Sequence, residues 1–305
     1  MRELLLSTRA LTKQYGRQKA VDRVELHIPK GAIYGFIGRN GAGKTTCLRM
    51  IGGLARPTSG EIQMFGRRGK ELRQIRSRVG CLIEEPGLYK NMSAHTNLKI
   101  KCELLGIRKK GYVEEILETV GLKDVGKKKT KHFSMGMRQR LGIGLALVGE
   151  PDLLLLDEPI NGLDPQGIAE VRETIQRLRD ERNMTILISS HILEELSKIA
   201  TNYGIIHQGV LLQELTGEEL MRRCGERLEI TLEEPRRALP VLDRMGFTSY
   251  QVTDQEHIHV YERLEESAAL NMELAKAGIP VKGISITSEE LEHYFLDLTG
   301  GDRGC

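Results

Sequence analysis

Gly38-Arg39-Asn40-Gly41-Ala42-Gly43-Lys44-Thr45-Thr46 fits the pattern G-x-x-x-x-G-K-[ST], and its flanks decide how it is read. Before it, Ala32-Ile33-Tyr34-Gly35-Phe36-Ile37 predicts a buried strand. After it, Cys47-Leu48-Arg49-Met50-Ile51 predicts the start of a helix. Strand, glycine loop and helix in that order make a phosphate cradle. Without a Cβ, Gly38, Gly41 and Gly43 let backbone N–H groups turn inward toward an anion. Asn40, Ala42 and Thr46 complete the loop. The helix N-terminus adds unpaired donors and its dipole. Lys44 is expected to reach the outer phosphates of a nucleotide, and the Thr45 hydroxyl to ligate Mg²⁺.

A second stretch supports the first. Leu153-Leu154-Leu155-Leu156-Asp157-Glu158-Pro159 is an apolar run ending in two carboxylates. The leucines read as a strand buried on both faces. Its carboxyl end is where α/β sheets place ligands. There Asp157 is suited to hold Mg²⁺, directly or through water. Glu158 is suited to orient or deprotonate the water that attacks a γ-phosphate.

The 305 residues suffice for one large or two modest domains, with 40% hydrophobic and 29% charged residues and no Trp. A net charge of +3 is too small to imply a nucleic-acid partner. No apolar run approaches the ~20 residues that span a bilayer, and no signal-peptide pattern is seen. A membrane process would therefore require a membrane part on another chain. Cys47, Cys81, Cys102, Cys224 and Cys305 form no C-x-x-C pair and read as reduced thiols.

Up to about residue 215 the chain mixes buried strands with long helical patterns, as in an α/β domain on a mostly parallel sheet. The segment from Arg2 to Ile28 reads as antiparallel, with strands at Leu4-Leu5-Leu6 and Val21–Ile28 around a turn at Tyr15-Gly16. Asn97–Gly126 reads as polar helices, and Lys127-Lys128-Lys129-Thr130-Lys131 as a solvated loop. From Arg227 the texture changes. Alternation at Leu228, Ile230 and Leu232, at Tyr250 and Val252, at Ile258 and Val260, and over Val281–Ile286 predicts four strands. Helical stripes at Ala238-Val241-Leu242-Met245 and Leu270-Leu274-Ala277 lie between them, closed by Gly246 and Gly278. The order β-α-β-β-α-β predicts a ferredoxin-like module. A last helix is expected from Thr287, with Glu290 in a capping box and an apolar stripe of Leu291, Tyr294, Phe295 and Leu298. His257 and His259 share a strand face and are read as exposed strand histidines rather than metal ligands.

With these motifs in place, the chain resembles the ATP-binding subunits of ABC transporters over residues of about 4 to 215. The resemblance implies a P-loop cassette of α/β class with a RecA-like parallel core, an antiparallel β subdomain and a helical subdomain at about 85–150. The cassette is expected over 1–220 and the small α+β module over 226–301. Phe133-Ser134-Met135-Gly136-Met137-Arg138-Gln139-Arg140-Leu141 falls where the family's signature helix lies. At a helix start, Ser134 and Gly136 offer a hydroxyl, N–H groups and a dipole to an anion. In the family that anion is the γ-phosphate held by the other subunit of a dimer. Leu163-Asp164 matches the loop that crosses the dimer interface, His191 the switch histidine at the γ-phosphate, and Tyr15 the aromatic that stacks on adenine. The implied cofactors are ATP and Mg²⁺. The implied partners are a separate membrane permease and a second cassette, placing the subunit in the cytoplasm on the inner face of the membrane.

Two departures narrow the resemblance. Glu84, in Gly80-Cys81-Leu82-Ile83-Glu84-Glu85-Pro86, stands where the family usually has glutamine, and a carboxylate there also suits Mg²⁺ or its water. Met135 and Met137 replace a common glycine and glutamine in the signature. With the C-terminal module and Tyr294-Phe295-Leu296-Asp297-Leu298-Thr299-Gly300-Gly301, these look like the bacitracin-resistance and lantibiotic-immunity branch. The expected function is ATP-driven export of a peptide antibiotic or similar amphiphile. The alternative is a soluble ATPase of the same family acting on nucleic acid or the ribosome. Such proteins usually carry two cassettes or long coiled coils, and this chain has one cassette and no long heptad run.

Overall fold

The computed structural model describes residues 3–224, 226–287, 294, 295 and 298, and the chain divides into two units, Met1–Gly217 and Glu218–Cys305. The first unit opens with β1 (Leu4–Tyr15), which turns at Gly16 into β2 (Gln18–Val24) and is followed by β3 (His27–Pro29). The single strand expected over Val21–Ile28 is thus two. Arg23 has a positive φ of 51° and breaks the ladder. The buried Thr8 hydroxyl bridges the break by accepting from Leu26 N and donating to the Val24 carbonyl, at 2.9 Å each. Bulges let β1 pair antiparallel with β2 at one end and with β3 and β5 at the other.

The chain then runs through β4 (Ile33–Ile37), α1 (Lys44–Ile51), β5 (Ser59–Met64), β6 (Arg67–Arg68) and β7 (Val79–Leu82). Next come α2 (Ala94–Leu104), α3 (Tyr112–Thr119) and α4 (Met135–Leu147), which pack on one another. In the Lys127–Lys131 run the lysines are exposed and only Thr130 is buried. Last are β8 (Leu153–Asp157), α5 (Pro165–Arg182), β9 (Thr185–Ser190), α6 (Leu193–Ser197), β10 (Asn202–His207) and β11 (Val210–Thr216).

Six strands form one sheet in the order β11-β10-β4-β9-β8-β7, parallel except for the antiparallel edge strand β11. Every residue of β4, β8 and β9 is buried. A parallel strand covered on both faces has no polar side, so its sequence is a continuous apolar run. Val21, Ile28, Phe36, Leu48, Ile51, Met64 and Leu155 join the antiparallel sheet, α1 and the parallel sheet in one core. The register aligns Ile37 with Ser190 and Asp157 with Ser189. Three neighbouring strands therefore deliver the glycine loop, the Asp157-Glu158 pair and His191 to one edge of the sheet.

The second unit opens within α7 (Gly217–Cys224) and continues through β12 (Arg227–Leu232), α8 (Leu239–Arg244), β13 (Tyr250–Val252), β14 (His257–Val260), α9 (Ser267–Lys276) and β15 (Val281–Thr287). Its sheet, in the order β13-β14-β12-β15, is antiparallel throughout. Leu228, Ile230 and Leu232 pack against Val241 and Leu242 of α8 and Leu270 and Leu274 of α9. This is the ferredoxin-like arrangement expected from the alternation. One boundary differs: Thr287 ends β15, held in the ladder opposite Arg227, and does not start a helix. Glu290 and Leu291 lie outside the described residues. Tyr294, Phe295 and Leu298 are helical, and Phe295 is buried.

Candidate functional site

The glycine loop takes the shape its sequence requires. A Cβ on Gly38 would lie 2.5 Å from the Ile206 carbonyl oxygen. Gly43 has φ of 106°, and a Cβ there would lie 2.4 Å from the Ala20 carbonyl oxygen. Neither position admits a side chain. Gly43 is also the N-cap of α1 and supplies no side-chain acceptor, so the first N–H groups of α1 stay available to an anion. Beneath the loop, burial pushes the Cys47 thiol up to about 12, so it adds no charge under the cradle.

Five side chains from three elements converge at this edge. Lys44, only 5% exposed, donates through Nζ to the Gly38 carbonyl at 2.6 Å and the Arg39 carbonyl at 3.3 Å. Its Nζ lies 3.0 Å from Glu158 Oε1. That contact is an ion pair without an aligned hydrogen bond, and Oε1 has no hydrogen-bond partner among the described residues. Glu158 Oε2 lies 2.9 Å from His191 Nδ1. Thr45 Oγ1 donates to Asp157 Oδ2 at 2.7 Å.

Ser189 ties the pair of carboxylates together. Its hydroxyl donates to Asp157 Oδ1 at 2.5 Å and accepts from Glu158 N at 3.0 Å. Glu158 needs this support, since its φ of 47° costs a non-glycine residue about 1–3 kcal/mol. Strain of that kind survives where surrounding bonds over-determine it. The sequence motifs assign Ser189 no role. Its place one step past an apolar run is the only local trace, and its register with the acidic strand end is visible only in the fold.

A cleft of about 490 Å³ opens over the loop. Asn40, Gly41, Ala42, Lys44, Thr46 and Glu158 line it. Gln18, Lys19 and Gln208 also border it, and sequence reading did not single them out. Five predicted residues lie away from this cleft. Tyr15 sits at the β1–β2 turn, half exposed, with Lys13 Nζ 4.9 Å from its ring centre. Glu84 lies two residues past β7 with φ of 67°, and its carboxylate pairs with Arg49 of α1 rather than with Thr45 or Asp157.

Ser134, Gly136 and Asp164 are gathered at a separate place. Ser134 caps α4 by accepting from Met137 N at 3.2 Å, and Asp164 caps α5 by accepting from Gly167 N at 3.2 Å. Gly136 is buried. A Cβ there would lie 3.4 Å from the Gly167 Cα, an ordinary van der Waals contact, so the two helix starts meet closely at this point. Arg140 and Glu170 clamp the same helices one turn on, at 2.8 Å. Met135 is helical and carries no positive φ. The meeting of two helix N-termini concentrates dipole and donors in one patch.

Comparison with known proteins points the same way. Residues 21–161 match the family model described as ABC transporter. The chain is 45% identical over 299 residues to the bacitracin transport ATP-binding protein BcrA of Bacillus licheniformis, covering 97% of this chain and 98% of that protein. It is 45% identical over 217 residues to the lantibiotic transport ATP-binding protein SrtF of Streptococcus pyogenes, covering 70% of this chain and 93% of that one. Among solved structures it is similar to a dimeric ATP-binding cassette bound to ADP and phosphate, with a TM-score of 0.61, 23% identity, and coverage of 69% of this chain and 98% of that one.

Proposed function

The chain belongs to the ATP-binding subunits of ABC transporters, and from that premise we propose that two cassettes close on ATP to drive a separate membrane permease that exports a peptide antibiotic or similar amphiphile. As a family member the chain binds and hydrolyses ATP. The observation that carries the finer reading is the separation of two half-sites: Lys44, Asp157, Glu158 and His191 meet over the glycine loop, while Ser134 and Asp164 meet elsewhere at paired helix starts. Each half is built for the same phosphates, and a second cassette would bring its Ser134 patch to this loop.

In this reading the loop N–H groups and Lys44 hold the β- and γ-phosphates. Thr45 Oγ and Asp157 are hard oxygen donors 2.7 Å apart and would hold Mg²⁺, which supplies charge neutralisation when bound. Glu158 takes the proton from the attacking water. His191 holds Glu158 in place and reaches toward the γ-phosphate. When phosphates draw Lys44 outward, Glu158 loses its ion-pair partner and becomes a freer base. Gly38, Asn40, Gly41, Ala42, Gly43 and Thr46 form the cradle, Tyr15 supports adenine, and Glu84 couples the site to the permease.

We read residues 1–220 as the cassette and 226–301 as an accessory module. No helix among the described residues is long and apolar enough to cross a membrane. A permease on another chain is therefore part of the proposal, with the subunit at the inner membrane face. The test is resistance. Co-expressed with its membrane permease, the wild-type chain should raise tolerance to bacitracin or a lantibiotic, and Glu158→Gln should abolish the gain. Equal tolerance with the two chains would overturn the proposal.

A further inference from the structure

The β-strands of the second unit show two faces. Leu228, Ile230, Ile258 and Val260 face the α8–α9 core. Alternation puts Arg227, Glu229, His259 and Tyr261 on the other face, where a cavity of about 620 Å³ opens, within the range of small-ligand sites. Arg222 and Arg223 of α7 line it together with Arg227. Arg223 Nη1 donates to Tyr294 Oη at 2.7 Å, and Arg227 Nη1 to the Arg223 carbonyl at 3.1 Å. None of the three guanidiniums has a carboxylate partner among the described residues, although Glu219 borders the cavity and Glu229 is bonded to His259 at 3.2 Å.

Two buried atoms give a second, independent observation. Arg227 Nε is buried without a hydrogen-bond partner, and so is Thr287 Oγ1, its neighbour across the β12–β15 register. Buried polar groups in native proteins are nearly always satisfied, and an unsatisfied one is met by an ordered water, an ion or a ligand, or serves a function. A guanidinium presents a fork that matches phosphate oxygens two at a time. A single carboxylate would use only part of three such forks.

We propose that this face of the C-terminal sheet is a second anion site, in which Arg222, Arg223 and Arg227 bind a phosphate- or pyrophosphate-bearing molecule. The site is distinct from the glycine loop and belongs wholly to the second unit. Tyr261, Tyr294 and Leu298 line the same cavity and give an organic substituent on the phosphate a partly apolar wall. Both soluble phosphorylated compounds and phosphate headgroups of lipids carry this chemistry.

The probe is inorganic pyrophosphate, titrated calorimetrically into the full chain. Pyrophosphate also suits the glycine loop, so the titration uses a Lys44→Ala background that disables that loop. The proposal expects one remaining site, weakened about tenfold or more by Arg227→Gln and by Arg223→Gln, since each removes a charged hydrogen bond. Intact ATP binding by the two arginine variants with Lys44 restored serves as the check on folding. The His259 resonance localises the event. His259 is held below its ordinary value by burial and then by the Arg227 charge, against the opposing effect of Glu229. Arg222, Arg223 and Glu219 of α7 and His257 of its own strand are the other charged groups near this face. An anion on Arg227 should therefore move the His259 titration upward. Sedimentation with phosphatidylglycerol vesicles, against phosphatidylcholine, then separates the sources. Capture competed by pyrophosphate marks a headgroup site, and pyrophosphate binding without capture marks a site for a soluble compound. No pyrophosphate binding in the folded Lys44→Ala chain, or binding indifferent to both arginine substitutions, overturns the proposal.

Discussion

Glu158 and Asp157 are adjacent in sequence, yet their surroundings give them different work. Asp157 is held by two hydroxyls, from Thr45 and Ser189, and Glu158 by a lysine and a histidine. A carboxylate fixed by hydroxyls suits a cation, and one facing a lysine that phosphates can attract away suits a base. Glu158→Gln should therefore keep ATP binding while phosphate release, measured with permease present, falls by about 10²- to 10⁴-fold. Normal turnover would remove Glu158 from the role of base. Ser189→Ala should leave the Glu158 N–H with only its 3.2 Å bond to the Ser189 carbonyl and loosen Asp157. Supporting residues of this kind set metal affinity, so Mg²⁺ dependence of turnover should shift about 10- to 100-fold toward higher Mg²⁺. An unchanged Mg²⁺ profile would show that the Thr45 contact alone positions Asp157.

At the scale of elements, the paired starts of α4 and α5 and the Arg49–Glu84 contact carry distinct expectations. Ser134→Ala removes the α4 cap and should cost about 1 kcal/mol in denaturant unfolding. If Ser134 acts only as a cap, ATPase activity will survive that modest loss. The composite-site reading expects activity to collapse while ATP binding to the loop persists. Glu84→Gln keeps shape but loses the charge paired with Arg49. It should retain ATPase activity and alter the permease's stimulation of it, and loss of ATP binding would contradict the placement of Glu84 away from the loop.

Elements of this kind also show what was legible in the sequence. Leu153–Leu156 and the β4 run announced buried parallel strands because covering both faces leaves no polar side. The C-terminal alternation gave a four-stranded sheet because one face packs on helices. The split at Arg23 was hidden, since a positive φ and the Thr8 bridge leave no periodic trace. Ser189 was missed because its role comes from register across β8 and β9, which no local pattern encodes. Glu84 was assigned from its place in a motif, and the structure brings it to Arg49, a partner 35 residues away in sequence.

For the molecule as a whole, the account divides catalysis between two chains. The first unit carries a phosphate loop and, apart from it, a separate donor patch. Hydrolysis by the isolated chain should rise more steeply than linearly with protein concentration if the competent species is the proposed dimer. A strictly linear dependence down to nanomolar protein would point to a self-sufficient monomer. The most direct measurement is the molar mass in solution of the Glu158→Gln chain with MgATP, by light scattering on a sizing column. The account predicts a dimer that appears only with ATP and disappears when Ser134→Arg is added. A chain that stays monomeric with ATP bound would contradict it.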